Sequence, residues 1–261
     1  MAEIVIVENQ EAAGRLVADA IAQLVRRKPD TVLGLATGST PLGVYRALEE
    51  IVRDEQLDVS GVRGFALDEY VGLPPGHPES YRSVIDREVV QPLGLVPERI
   101  AVPPGGPDGI ETAGERYEAA IEAAGGVDLQ ILGIGRTGHI GFNEPGSSLA
   151  SLTRVKTLTE PTRADNARFF SSPDEVPMHC ITQGIGTILR ARHLVLLAFG
   201  AAKAHAVAAA VEGPVTASQP GSAIQLHPHA TVVIDEAAAA ELEQTAYYRY
   251  AWDNKPAWQG I

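Results

Sequence analysis

The sequence predicts an α/β protein, a single doubly wound, mostly parallel sheet with helices on both faces. Three observations carry that expectation. Short β-branched or apolar runs alternate with helix-forming segments almost from end to end. Short polar or glycine-containing loops join each pair. No internal repeat, low-complexity tract or linker divides the 261 residues, so they read as one domain, 1–261, with insertions. Alternation of this kind means crossover connections and parallel strands.

Taken in order, Ile4 to Val7 is a first strand, and Asn9 caps a helix from Glu11 to about Val25. Thr31 to Ala36 is a second strand. It breaks at Thr37-Gly38-Ser39-Thr40, and Pro41, whose missing N–H costs nothing there, opens a helix to about Ile51. Val62 to Leu67 is a third strand, ending in Asp68-Glu69-Tyr70 and a Pro- and Gly-rich loop, Gly72 to Ser80. Helices follow near Tyr81–Val90 and Gly109–Ala124, with a short strand near Ile100–Val102. Asp128 to Gly133 is a buried strand leading into the glycine-rich stretch Ile134 to Gly146. His193 to Phe199 is a strand, Ala201 to Val211 a helix carrying Lys203 and His205, and Ala230 to Ile234 a late strand. Asp235 is expected to cap a final Ala/Glu helix.

The charge balance, 21 Lys plus Arg against 33 Asp plus Glu, gives a net charge of −12. Nucleic-acid and anionic-membrane partners both depend on many basic contacts, so neither is expected. The one cysteine, Cys180, excludes an intrachain disulfide and a Cys-rich metal site, and reads as a packed, inert thiol. Glu3 stands where a signal peptide would carry positive charge, and the apolar run Ile4–Val7 is too short for its core. No apolar stretch has the length of a membrane span. A reduced, cytoplasmic setting is the expectation.

Ligands of open α/β sheets bind beyond the carboxyl ends of the strands, which selects the loops after Ala36, Leu67 and Gly133. In the first, Gly38, Ser39 and Thr40 lie at a helix start, where backbone N–H groups, two hydroxyls and the macrodipole suit one phosphate. A helix start with no ligand fits that loop equally well. It lacks the features of a nucleotide P-loop or a dinucleotide fingerprint. The second loop offers Asp68 and Glu69 after an apolar strand end; partial desolvation there would raise a carboxyl toward a useful general base. The third, Gly133 to Ser148, sets His139 and Glu144 among five glycines. A carboxylate near an imidazole fixes its tautomer and stabilises its cation, giving an acid/base pair. One His and one Glu lack a third ligand at recognisable spacing, so no metal and no other cofactor is expected. Of the remaining histidines, His77 is read as packing or capping and His205 as partly buried. His227 and His229 are read as structural, and His179 and His193 as unpartnered. The aromatic cluster Tyr247 to Trp258 reads as packing on the fold or forming a subunit contact.

The segments LGLATGSTP (Leu33 to Pro41), ALDEYVGLPPGHPESY (Ala66 to Tyr81) and GIGRTGHIGFNEPGSSLAS (from Gly133) resemble the glucosamine-6-phosphate deaminase family. So do TRVKTLT (Thr153 to Thr159), TRADNARFF (Thr162 to Phe170) and IQLHPHA (Ile224 to Ala230), in the same order along the chain. The resemblance implies conversion of glucosamine 6-phosphate and water to fructose 6-phosphate and ammonia, with an amino-sugar phosphate as small-molecule partner. By position it implies Asp68 as proton-transfer base, His139 as ring-opening acid/base and Glu144 as its carboxylate partner. It also implies Gly38, Ser39, Thr40, Arg168 and Lys203 as phosphate contacts, and a lid over roughly residues 153–183. Thr137 departs from the family's usual Asp or Asn two residues before the histidine. It can hydrogen-bond the ring but brings no charge, so the cationic imidazole should be less favoured.

Competing readings come from the same residues. A 6-phosphogluconolactonase would need no carboxylate for C2 proton transfer, which Asp68 argues against, whereas a preference for the galactosamine epimer stays open. A non-catalytic sugar-phosphate sensor is opposed by the acidic charge and by Asp68, His139 and Glu144 standing together. Ser147, Arg154 and Lys156 fall near the region matching the one through which N-acetylglucosamine 6-phosphate controls some members of the family. The sequence leaves open a monomer or a homo-oligomer. For so acidic a chain to hold a sugar phosphate, the helix start, Arg168 and Lys203 must converge on one locus.

Overall fold

The structure is a computed structural model that describes residues 2–256 and 258–261. Its strands are β1 (Glu3–Val7), β2 (Val32–Leu35), β3 (Arg63–Ala66), β4 (Asp68–Tyr70), β5 (Ile100–Ala101), β6 (Leu129–Gly133), β7 (Arg154–Thr157), β8 (His179–Thr182), β9 (His193–Ala198) and β10 (Ala230–Asp235). The helices are α1 (Gln10–Arg27), α2 (Leu42–Glu55), α3 (Tyr81–Ile85), α4 (Gln91–Leu93), α5 (Ala113–Ala123), α6 (Glu160–Asn166), α7 (Ile185–Ile188), α8 (Ala204–Val211) and α9 (Thr245–Asp253).

Seven strands make one sheet in the order β1-β10-β9-β6-β2-β3-β5, and every pairing in it is parallel. β2 and β9 are buried along their whole length, as strands of a parallel sheet must be when both faces are covered. From β2 the chain moves outward to β3 and β5, then returns to β6 on the other side of β2. The connections therefore diverge between β2 and β6, opening a crevice at their carboxyl ends. The expected α/β class and the expected three loops meet there.

A second, three-stranded antiparallel sheet, β4-β8-β7, corrects the expected single sheet. Leu67 is the residue that joins the two sheets. Its N–H donates to Leu35 in the main sheet at 3.0 Å, and its carbonyl accepts from Gln183 N–H at 2.7 Å. Asp68-Glu69-Tyr70, expected as a strand end, is thus a strand of its own, paired with His179–Thr182. β7 and β8 were not legible, because RVKT and HCIT are four residues long and RVKT alternates charged with apolar side chains on a half-exposed face. Beneath this sheet a small apolar cluster forms from Tyr70, Phe142, Leu158, Val176 and Cys180. Cys180 is fully buried and its thiol is pushed up by desolvation.

Five further expectations are corrected. The final helix does not start at Asp235. That carboxylate accepts from Gly200 N–H and Ala238 N–H, and Glu212 captures the N–H groups of Glu243 and Gln244, so residues 236–241 make turns. The helix is α9, where Tyr248 packs down and bonds Glu212 while Tyr247 and Tyr250 stay exposed. The helix expected over Tyr81–Val90 is α3 continued by a π-helical turn at Asp86–Val90. Lys203 ends a 3₁₀ turn, Ala201–Lys203, and caps α8 instead of lying inside it. Of the histidines, His205 is exposed beside Glu241. His193, expected to be unpartnered, stacks on His229 with ring centroids 3.7 Å apart and meets Thr231 Oγ1 at 2.9 Å.

At the opposite end of the sheet, buried Asp128 fastens three segments. Its carboxylate accepts from Val32 N–H at 2.8 Å and meets Lys28 Nζ at 2.7 Å and Arg192 Nη1 at 3.1 Å. Both cations reach solvent, which discounts the pair, but loss of the buried anion leaves its donors unmatched. D128N is expected to lose about 2 kcal/mol of stability in urea unfolding and to keep its turnover per folded molecule, since it lies at the far end of the sheet.

Candidate active site

The three selected loops surround one cavity of about 730 Å³. Its wall includes Thr37 to Thr40 after β2, Asp68 at the start of β4, and Gly133 to Arg136 with His139 after β6. Arg168, Phe169 and Lys203 close the same space. The helix start, Arg168 and Lys203 thus border the same cavity.

After β2, Gly38 takes φ +90°, a conformation that favours glycine, and turns the chain into α2. Gln10 at the start of α1 holds this turn by donating from Nε2 to the carbonyls of Ser39 and Thr40, at 3.0 and 3.3 Å. The turn's carbonyls are therefore tied back. The N–H groups of Gly38, Ser39 and Thr40 have no protein acceptor among the described residues. α2 has no acidic residue in its first turn and no side-chain cap, so its positive end is free for an anion.

Strand alternation separates the two adjacent carboxylates. Glu69 turns inward and accepts the N–H groups of Tyr70, Tyr81 and Arg82 at 2.7 to 2.8 Å, fixing the start of α3. Asp68 turns to the cavity, 6 % exposed. Burial, and secondarily the charge of Glu69, push its carboxyl up to about 8. The expected carboxylate pair is thus one structural anchor and one strong, poorly solvated base.

After β6, His139 Nδ1 lies 3.1 Å from Glu144 Oε1 and 2.9 Å from Thr137 Oγ1. The Thr137 hydroxyl donates its one proton to Glu144 Oε2 at 3.0 Å, so toward the ring it can only accept. Nδ1 therefore carries the hydrogen, and the Nε2 lone pair is left free. The ring packs directly on Gly135, where a Cβ would stand 2.2 Å from both Cε1 and Nε2. Burial opposes ionisation of Glu144, but hydrogen bonds from His139, Thr162 and Thr137 outweigh it and hold the carboxyl down to about 2. Asn143 is buried beside it, donating to the Ile140 and Gln183 carbonyls and accepting from Arg154 Nη1 at 2.8 Å.

The cations come from two further segments. Lys203 Nζ is anchored on the Ile134 carbonyl at 2.7 Å, and burial together with Arg136 and Arg168 lowers its pKa. The Arg168 guanidinium lies 4.7 Å from the Phe169 ring and does not pair with Asp165. Arg136 makes that pair instead. Sequence reasoning missed Arg136, Thr159 and Thr162. Thr159 and Thr162 both reach Glu144 Oε1, from α6 and its cap. The only local signal was the Thr-x-x-Thr spacing of a helix start, because their target lies far upstream in the chain.

With this geometry in view, the chain was compared with known proteins. A model described as glucosamine-6-phosphate isomerases/6-phosphogluconolactonase matches residues 7–234. The chain belongs to that family. Within the family, a protein of Bifidobacterium longum named glucosamine-6-phosphate deaminase is 62 % identical over 270 residues, covering 100 % of both chains. A Streptomyces coelicolor protein of the same name is 61 % identical over 260 residues, covering 99 % of this chain and 100 % of that one. The solved structure of a monomeric glucosamine-6-phosphate deaminase superposes with a TM-score of 0.89 at 42 % identity, covering 92 % of this chain and 99 % of that chain. A 6-phosphogluconolactonase from Trypanosoma brucei, 16 % identical with a TM-score of 0.73, covers 93 % of this chain and 99 % of that chain and shares the fold.

Two outcomes follow for the site. In G135A the methyl group displaces the imidazole, and steady-state assays should show at least a hundredfold loss of kcat with the fold retained. Asp68 is neutral in both folded and unfolded states below its ordinary value near 3.8, and costs stability as pH rises from there to about 8. Urea midpoints should therefore show D68N level with wild type near pH 4 and progressively more stable than wild type toward pH 8.5.

Proposed function

We propose that this protein is a glucosamine-6-phosphate deaminase, converting glucosamine 6-phosphate and water to fructose 6-phosphate and ammonia. The observation that carries the reading is the cavity itself. It is lined by a buried carboxylate with no side-chain hydrogen bond among the described residues, an oriented imidazole, free helix-start donors and basic side chains. Full-length identity of about three in five residues to proteins of that name supports it.

The sugar phosphate binds with its phosphate at the N–H groups of Gly38, Ser39 and Thr40, where Arg168 adds a planar fork and Lys203 a point charge. This remote anchoring orients the ring for chemistry. His139 opens it. The free Nε2 accepts the proton of the anomeric hydroxyl and returns one to the ring oxygen as the C1–O5 bond breaks, while Glu144 steadies the transient imidazolium. Asp68 then removes the C2 proton of the open aldehyde while the substrate ammonium gives up one proton and O1 gains one, leaving an enolamine. Asp68 delivers its proton to C1. C2 becomes an iminium carbon. Water adds there, ammonia leaves, and the C2 ketone remains. Asp68 is protonated in the free site at neutral pH, and a substrate ammonium beside it favours its ionised form. Binding thus generates the base where it is needed. Of the expected span 153–183, both ends are strands of the small sheet, and the segment between β7 and β8 acts as the lid, bringing Arg168 and Phe169 over the cavity.

A lactone hydrolase on this fold would have no use for a carboxyl raised in this way at the C2 position. Ammonia release is assayed in parallel on glucosamine 6-phosphate and galactosamine 6-phosphate. Turnover of either is the expected result, and absence of ammonia from both sinks the reading. D68N should lower kcat by about 10²–10⁴ with KM little changed.

A further inference from the structure

Glu144 Oε1 serves two masters. It faces His139 Nδ1 at 3.1 Å, and it accepts the hydroxyl proton of Thr162, a residue buried on α6. Thr159, the cap of α6, bonds Thr162 and approaches the same oxygen at 3.5 Å. A short 3₁₀ turn, Ala167–Phe169, follows α6 directly and carries Arg168 into the cavity. The element that reaches for the substrate phosphate is therefore hydrogen-bonded at its other end to the carboxylate that orients the catalytic imidazole.

We propose that Thr162 is a positioning residue of the acid/base pair: seated on Glu144, it couples the placement of Arg168 at the phosphate to the orientation of His139. The inference rests on the reading of His139 as the ring-opening acid/base. Physically, the Thr162 hydroxyl and the imidazole N–H compete for the lone pairs of one oxygen. With the hydroxyl in place, Glu144 is fixed in one rotamer and shares its charge, so the imidazolium is held firmly but not trapped. With the hydroxyl gone, Oε1 keeps only the ring and the longer approach of Thr159 at 3.5 Å, and the imidazolium is held more tightly. Thr137 completes the other oxygen from the same loop, and Arg154 on β7 holds the neighbouring Asn143. The other charged groups around the cavity are Asp68 on β4, Arg136, Arg168 and Lys203, Asp165 on α6 paired with Arg136, and Glu79, Arg87 and Glu88 near α3. None of these shares Oε1.

The test compares T162V, isosteric but without the hydroxyl, with T162S, which keeps it. T162V is expected to lose kcat on the order of tenfold with KM within about twofold. The acidic limb of its kcat profile should move to higher pH by roughly half a unit. T162S should restore both. The loss caused by T162V should also be smaller in an R168A background, because the two ends of the segment act together. Should T162V fold poorly, T162A carries the same comparison. An active wild type with an unmoved T162V pH profile, a T162S as impaired as T162V, or strict additivity with R168A overturns the inference alone. A wild type inactive on both hexosamine phosphates overturns the functional reading, and this inference with it.

Discussion

The site depends on one topological constraint, the divergence of the chain between two neighbouring parallel strands. β2 and β6 lie side by side, but the connections that follow them run to different places. No crossover covers the crevice between their carboxyl ends. Backbone donors that a closed fold would have to satisfy internally can remain open to a ligand there. The N–H groups after β2 need no protein partner because Gly38 and Ser39 are exposed where that crevice opens, and Gln10 ties back the carbonyls of Ser39 and Thr40.

A second feature is built on the first. At Leu67 the chain leaves the main sheet and enters the small one, so Asp68 projects into the crevice from the first residue of a strand with sheet on either side. That position removes water from the carboxylate without supplying a donor. Its neighbour Glu69, one residue along the same strand, is turned to the other face and saturated with backbone hydrogen bonds. Adjacent residues of like chemistry thus acquire different work, one holding a helix in place and the other holding a proton. The separation follows from the two-residue period of a strand.

The electrostatics show how an acidic protein accommodates an anionic ligand. The net charge is −12, yet Arg136, Arg168 and Lys203 border one cavity, with a helix start beside them. Burial, with Arg136 and Arg168 nearby, lowers the pKa of Lys203, and a negative charge beside it would favour its protonated form. Short distances and partial burial favour nearby charges over screened distant ones, so the placement of these few groups counts for more than the net charge. Around the imidazole the logic is reversed. Donors gather on Glu144, and that carboxylate stays ionised despite being buried.

Much of this was legible in the sequence, for a physical reason. Fully buried parallel strands such as His193–Ala198 and Val32–Leu35 must be continuous apolar runs, and the turns that follow them must be built from glycine and short polar residues. Both signals are local, so the fold class, the three loops and the residues Asp68, His139 and Glu144 could be read directly. The resemblance of the loop motifs to a known family supplied Arg168 and Lys203. Tertiary structure alone decided the rest. β7 and β8 are too short and too mixed in polarity to announce themselves. Glu69 looks like Asp68 until strand alternation separates them. The segment after Asp235 makes turns although Asp235 caps Ala238, and Glu212, distant in sequence, takes the N–H groups of Glu243 and Gln244 ahead of α9. Thr162 reaches Glu144 only because the small sheet folds α6 back over the cavity. Short-range periodicity writes elements into a sequence, whereas contacts across long separations are settled only when those elements pack.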